Sequence, residues 1–218
     1  MNYSIIDTGN SRSFPTPHAL LQGTAADGEV VILLGQQAGD AQAKIQGADK
    51  KAAILIELGN ESLGVHTGES RGNEGSNVLG FNRFRLGDAE PSNLVELVRQ
   101  PNTPQSTINA AKQVLEGAGL KVAVCFDVTG RIIDRLVRPY YNAALRRLDE
   151  GLATADDLDL TLRLGLGYPE GPIALLERTG IEHHFDVTSA LFEALGETPY
   201  APARRARVAK MRAQKKSA

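Results

Sequence analysis

The spacing of apolar and polar residues changes character once along this chain, close to residue 130. Before that point, short runs of β-branched and aliphatic residues predict strands at 3–7, 29–34, 53–58, 77–81, 94–98 and 121–126. Helical stretches alternate with several of them, at 38–46 and 104–116. The second has Thr103 as its cap, Pro104 at its first position and an exit at Gly117 and Gly119. Strand and helix in alternation predict an α/β layer with a largely parallel sheet. Residues 59–76 hold five glycines and few apolar residues, so they read as a long loop, a kind of segment that is often functional or mobile.

Beyond Gly130, Ile132, Ile133, Leu136, Val137, Tyr140, Tyr141, Ala144, Leu145 and Leu148 recur at three- and four-residue intervals. That pattern predicts one long amphipathic helix, in which Pro139 should bend the axis or remove a hydrogen bond. Further helices are expected at 155–164, 172–179 and 185–195. The expected organisation is an α/β domain over 1–128, an all-α domain over 129–202 and a flexible basic tail over 203–218. So wide an apolar face needs a partner surface, and a symmetric homodimer through these helices is the simplest arrangement, with a heteromer as the alternative.

Charge sharpens the picture at one end. Arg204, Arg205, Arg207, Lys210, Arg212, Lys215 and Lys216 occur in 203–218 without an acid, so a net charge of −2 leaves about −9 on the preceding residues. A solvated, frayed terminus is the plain reading of that tail, and contact with CoA phosphates or nucleic acid is the alternative. An aromatic content of 5% without Trp points to an aliphatic core. No apolar run approaches the roughly 20 residues that span a bilayer, so no membrane partner is expected. The N-terminus lacks the basic-then-apolar layout of a signal peptide, and the single Cys125 excludes an internal disulfide. Both features lead to an expectation of cytoplasm.

Two motifs carry a resemblance. Asp127-Val-Thr-Gly-Arg-Ile-Ile-Asp-Arg resembles the Asp-Thr-Pro-Gly-Phe-Ile-Val-Asn-Arg of the 3-hydroxyacyl-CoA dehydrogenases. Leu164-Gly-Leu-Gly-Tyr-Pro-Glu-Gly-Pro is similar to their Leu-Gly-Ala-Gly-Tyr-Pro-Met-Gly-Pro. The resemblance runs from Asp127 to about Pro202. Upstream, Gly80-Phe-Asn-Arg-Phe and Leu94-Val-Glu-Leu-Val resemble the family's Gly-Leu-His-Phe-Phe and Leu-Val-Glu-Val-Val, with two residues inserted between them. Gly59-Asn-Glu-Ser-Leu falls where the family has Asn-Thr-Ser-Ser-Leu. The stretch before that loop is about half the family's, so the implied fold is a shortened, degenerate Rossmann-like domain followed by the family's helical domain.

The resemblance implies an enzyme that oxidises (S)-3-hydroxyacyl-CoA with NAD. In that family a histidine takes the hydroxyl proton, a glutamate orients it, and a serine and an asparagine hold the reacting oxygen. Carried over by position, the histidine is Asn82, the glutamate Glu96, the asparagine Asp134 and the serine Glu61, with Ser62 one step away. An amide has no accessible pKa and cannot serve as a general base. If Glu61, Glu96 and Asp134 converged, they would repel an oxyanion, run other acid–base chemistry or hold a divalent cation. The plainer arrangement is that they face solvent or pair with Arg83, Arg85, Arg131 or Arg135.

NAD follows from the resemblance alone. No Gly-x-Gly-x-x-Gly occurs in the first 130 residues, and the strand at 3–7 leads into Thr8-Gly-Asn-Ser-Arg-Ser-Phe-Pro. No dinucleotide, and no other cofactor or metal, is therefore expected. His183 and His184 are adjacent, face different ways on a helix and read as surface or packing residues. His66 lies on the long loop and could approach the pocket, while Cys125 reads as core. The expected function is a catalytically degenerate accessory or regulatory partner in acyl-CoA metabolism, with acyl-CoA as a candidate ligand. The alternatives are an active oxidoreductase or acid–base enzyme on 3-hydroxyacyl-CoA, and an anion- or nucleic-acid-binding protein.

Overall fold

The computed structural model describes residues 1–217 and falls into two compact units: Met1–Arg85 with Pro91–Arg131, and Leu86–Glu90 with the chain from Ile132 onward. The first unit is built on six strands: β1 (Tyr3–Asp7), β2 (Val30–Leu34), β3 (Ala53–Glu57), β4 (Val78–Arg83), β5 (Leu94–Arg99) and β6 (Lys121–Phe126). They lie side by side in sequence order. β1 to β4 are parallel, β5 is antiparallel to β4, and β6 is parallel to β5. Every expected strand is present, with small shifts at the ends. β2 and β3 are buried at every position, as continuous apolar strands covered on both faces must be.

Three helices accompany the sheet: α1 (Ala38–Gln42), α2 (Gly64–Thr67) and α3 (Gln105–Gly117). On one face Ile32, Leu55, Phe81 and Leu97 pack with Leu20 and with Ile108, Ala111 and Leu115 of α3. On the other, Val31, Ile54, Ile56 and Val98 pack with Ala38 of α1 and with Leu63. Side chains alternate along a strand, so Asn82 and Glu96 share the second face, next to Phe81 and Leu97 on the first.

Local chemistry adjusts several boundaries. α3 starts one residue late, because Pro104 is its N-cap, and the Thr103 hydroxyl accepts the Gln100 amide at 3.0 Å instead. The segment 59–76 is anchored at its start. Asp127 accepts the amides of Leu63 and Gly64, both at 2.7 Å, and Leu63 is fully buried. Cys125, expected in the core, is only half-buried because β6 is an edge strand. Burial still pushes its thiol up to about 11, with the charge of Glu96 adding to the effect.

The second unit holds α4 (Ile133–Asp149), α5 (Ala155–Leu166), α6 (Pro172–Thr179), α7 (Ile181–Leu195) and α8 (Arg204–Ser217). Pro139 has no N–H for the carbonyl of Arg135, and the Tyr200 hydroxyl donates to that carbonyl at 3.2 Å. The buried residues of α4 are Asp134, Arg138, Tyr141, Asn142 and Leu145. The face expected to be apolar is therefore partly polar inside, while Leu136 is 71% exposed.

The flexible tail expected over 203–218 is a helix for most of its length, α8. Ala203 and Ala206 are buried, Arg204 and Arg205 each reach Asp149 at 2.8 Å, and Lys210 reaches Asp186 at 2.7 Å. The segment looked unsupported because its counter-charges come from elsewhere in the chain. Among the described residues, no helix is long and apolar enough to cross a membrane.

Candidate functional site

The carboxyl ends of parallel strands are where α/β sheets bind ligands, in a crevice opened by a reversal of strand order. The order here does not reverse. Residues 8–14 instead run from the end of β1 across the ends of its neighbours. The Thr8 amide and hydroxyl donate to the Leu34 carbonyl at 2.9 and 2.7 Å. Gly9 and Asn10 turn the chain with φ of +89° and +57°. Gly35, at φ +93°, lies so close that a Cβ there would come within 2.2 Å of the Gly9 carbonyl oxygen.

Glu57, buried at the end of β3, closes this segment. It accepts the Ser13 amide at 2.6 Å and the Gly35 amide at 2.7 Å. Ser13 in turn accepts the Arg83 amide at 3.3 Å, and the Phe14 ring lies 6.5 Å from that of Phe81. A pyrophosphate needs free backbone amides at a helix N-terminus. The amides at this position already serve a carboxylate, and a single 3₁₀ turn, Ala19–Leu21, is the first regular element after β1. These residues do not fit a dinucleotide. Ser13, Glu57 and Gly35 were not candidates from sequence, since a glutamate ending an apolar strand carries no distinctive signal.

Asn82 and Glu96 face each other directly in the β4–β5 ladder. Glu96 is 2% exposed and pairs with Arg131, whose Nε lies 3.6 Å from Oε2. Arg131 Nη2 also donates to the Gly59 carbonyl at 2.9 Å. Glu61 is turned back on its own loop, where it accepts the Gly59 amide at 3.0 Å and lies 3.5 Å from His66 Nε2. The His66 ring packs on Gly39, where a Cβ would come within 2.1 Å of it.

Asp134 lies in the second unit and is held by Arg138, whose Nε donates to it at 2.7 Å. Arg138 Nη1 donates to His184 Nδ1 at 3.1 Å, and His184 Nε2 faces Asn142 Oδ1 at 2.9 Å. A guanidinium only donates, so Nδ1 carries the lone pair and Nε2 the proton. Burial, with the Arg138 charge added, pushes His184 down to about 3 and keeps it neutral. His183 is partly exposed and pairs with Asp88 at 3.0 Å.

Each of the three carboxylates thus has its own partner. Among the described residues no group of three or more His, Cys, Asp or Glu side chains could hold a metal ion. A groove of about 420 Å³ between α5 and α6 is lined by Asp156, Asp157, Asp159 and Glu170 against one cation, Arg163, a net negative surface that disfavours CoA phosphates. Asp159 caps α6 there through the Ile173 and Ala174 amides at 2.9 and 2.8 Å.

Residues 130–218 match the family described as 3-hydroxyacyl-CoA dehydrogenase, C-terminal domain. The mitochondrial hydroxyacyl-coenzyme A dehydrogenase of Sus scrofa is 34% identical over 109 residues, 46% of this chain and 35% of that protein. The 3-hydroxybutyryl-CoA dehydrogenase of Bradyrhizobium diazoefficiens is 32% identical over 109 residues, 50% of this chain and 37% of that protein. The match thus spans about a third of the length of these curated relatives. The crystal structure of (S)-3-hydroxybutyryl-CoA dehydrogenase from Ralstonia eutropha is similar in fold, with a TM-score of 0.68 at 24% identity over 83% of this chain and 64% of that one. Residues 130–218 thus belong to the 3-hydroxyacyl-CoA dehydrogenase C-terminal domain family, and the chain is similar in fold to a solved (S)-3-hydroxybutyryl-CoA dehydrogenase.

Proposed function

We propose that this chain is a non-catalytic member of its family, a dimeric accessory or regulatory partner of an acyl-CoA enzyme. The observation that carries the proposal is the course of residues 8–14 over the strand ends, where Glu57 already takes the Ser13 and Gly35 amides. Asn82 supports it independently, because an amide can hold a hydroxyl oxygen but cannot remove its proton, a step for which a positioned base contributes about 10² to 10⁴ in rate. The domain scheme that goes with this reading is a shortened Rossmann-like domain over 1–128 and the family's helical domain from 129. Acyl-CoA is the candidate ligand and the cytoplasm the compartment.

Calorimetry with NAD and an NADH-absorbance assay with 3-hydroxybutyryl-CoA test the proposal. Neither saturable micromolar binding nor turnover above background is expected. Ordinary turnover would overturn it in favour of an active enzyme with a different base, and Glu61 and Asp134 would then be the first positions to substitute.

A further inference from the structure

β6 is the last strand of the sheet and pairs with β5 alone. The amides of Lys121 and Asp127, at its two ends, donate back to the carbonyls of Asn93 and Arg99 at 2.7 and 3.0 Å. Alternate residues of a strand bond to the same neighbour, so the odd-numbered residues serve β5. Val122, Val124 and Phe126 therefore aim their N–H and C=O groups away from the sheet. Such a row is a template for another strand, and folded proteins blunt it with lysine, proline, a bulge or a covering segment. β1, the opposite edge, has cover of that kind, since the Ala25 amide donates to the Tyr3 carbonyl at 2.7 Å. β6 has no proline, and its one lysine stands at its first position. Val124 and Phe126 are instead 38% and 56% exposed.

The order of side chains on this edge suits a copy of itself. Antiparallel pairing about a twofold axis at Val124 sets Lys121 against Asp127 of the second copy, Val122 against Phe126, and Ala123 against Cys125. Each end then joins opposite charges, and each flank joins an aromatic to a β-branched residue, both pairings that favour neighbouring strands. The residues that would exchange hydrogen bonds across the axis are Val122, Val124 and Phe126, the three whose backbone points outward. A slip of one residue would set outward backbone groups against inward ones, and a slip of two would part the ions.

We infer that β6 is a docking edge for a second copy of this chain, with two sheets joined through antiparallel β6 strands into one. The contact is isologous, so it closes at two copies. It lies on the first unit and is separate from a dimer through the helices. It goes beyond the non-catalytic reading above and does not depend on it.

Val124→Pro in the full chain tests it. Proline there removes only an outward N–H, which an edge strand tolerates, so the first unit should fold as before. Light scattering at micromolar concentration should give half the wild-type mass, a monomer if β6 is the one interface and a dimer if the helices form another. Val124→Lys keeps the backbone intact and brings two ammonium groups together at the axis, so it should halve the mass as well. Ala123→Cys checks the register. Across a pair that shares no hydrogen bonds the Cα atoms are about 4.5 Å apart, within the span of a disulfide. Mild oxidation of Ala123→Cys should therefore link position 123 of one copy to Cys125 of the other, while the wild type stays unlinked. A wild-type monomer, an unchanged mass in a folded Val124 variant, or no linked dimer from Ala123→Cys overturns the inference. A wild-type dimer that both Val124 variants leave intact removes this interface and leaves the helical dimer standing.

Discussion

The Ser13 amide donates to Glu57 at 2.6 Å, a bond between residues 44 positions apart that holds the loop after β1 onto the end of β3. Both residues are buried, so neither can turn to water instead. The Gly35 amide shares the same carboxylate.

Glu57→Ala should therefore destabilise the protein by about 3 kcal/mol, since two buried amides lose a charged acceptor. Urea unfolding measures it. A loss under about 1 kcal/mol would mean that the loop is held by its other contacts. NAD binding should not appear in this variant, because removing the carboxylate creates neither a glycine-rich turn nor a helix after β1.

Tyr200→Phe should cost about 1 kcal/mol by leaving the Arg135 carbonyl without its donor. The loss should shrink when Pro139→Ala restores a helical amide at that position. Equal losses in both backgrounds, by thermal unfolding, would separate the hydroxyl from the proline.

His184 supplies a pH dependence. Its folded pKa of about 3 lies below the ordinary 6.5, so the unfolded chain binds the proton more readily. The contribution of the neutral ring is complete above pH 6.5 and is lost as pH falls toward about 3. Between pH 7 and 5.5 this group alone should remove about 1 kcal/mol. An NMR titration should find the ring neutral in the folded protein at pH 5, and protonation there would contradict the buried Arg138–His184–Asn142 relay.

The proposed dimer is testable at α5, a helix with no buried residue, on which Leu160, Leu164 and Leu166 are 48%, 76% and 63% exposed. Leu164→Asp should halve the mass in light scattering with little change in monomer fold. Leu145 is fully buried, so Leu145→Asp should unfold the second unit. A wild-type monomer at micromolar concentration would refute the dimer.

The six strands and the helices other than α2 and α8 were legible because alternation and the three-to-four spacing are local properties, and α3 moved its start for a local reason, Pro104 at its N-cap. The motif around Gly130 and the match at 164–172 were legible as well, being contiguous. Asn82 opposite Glu96 followed only once the β4–β5 register was known. Arg131 was one of four arginines that composition offered as partners for the site's carboxylates, and nothing in its spacing singled it out.

The sequence by itself determined the six strands, the helices α1 and α3 to α7, and the absence of a Gly-x-Gly-x-x-Gly turn in the first 130 residues, because these depend on residue type and on neighbours a few positions away. Only the tertiary structure decided that the strands keep one order, that residues 8–14 lie across their ends, that Glu96 belongs to Arg131 and Asp134 to Arg138, and that the cationic C-terminus is a docked helix. Ion pairs and hydrogen bonds act over a few ångströms, and the residues they join here lie up to 95 positions apart, as His183 and Asp88 do. Partner choice of that kind is set by packing, which local pattern does not encode.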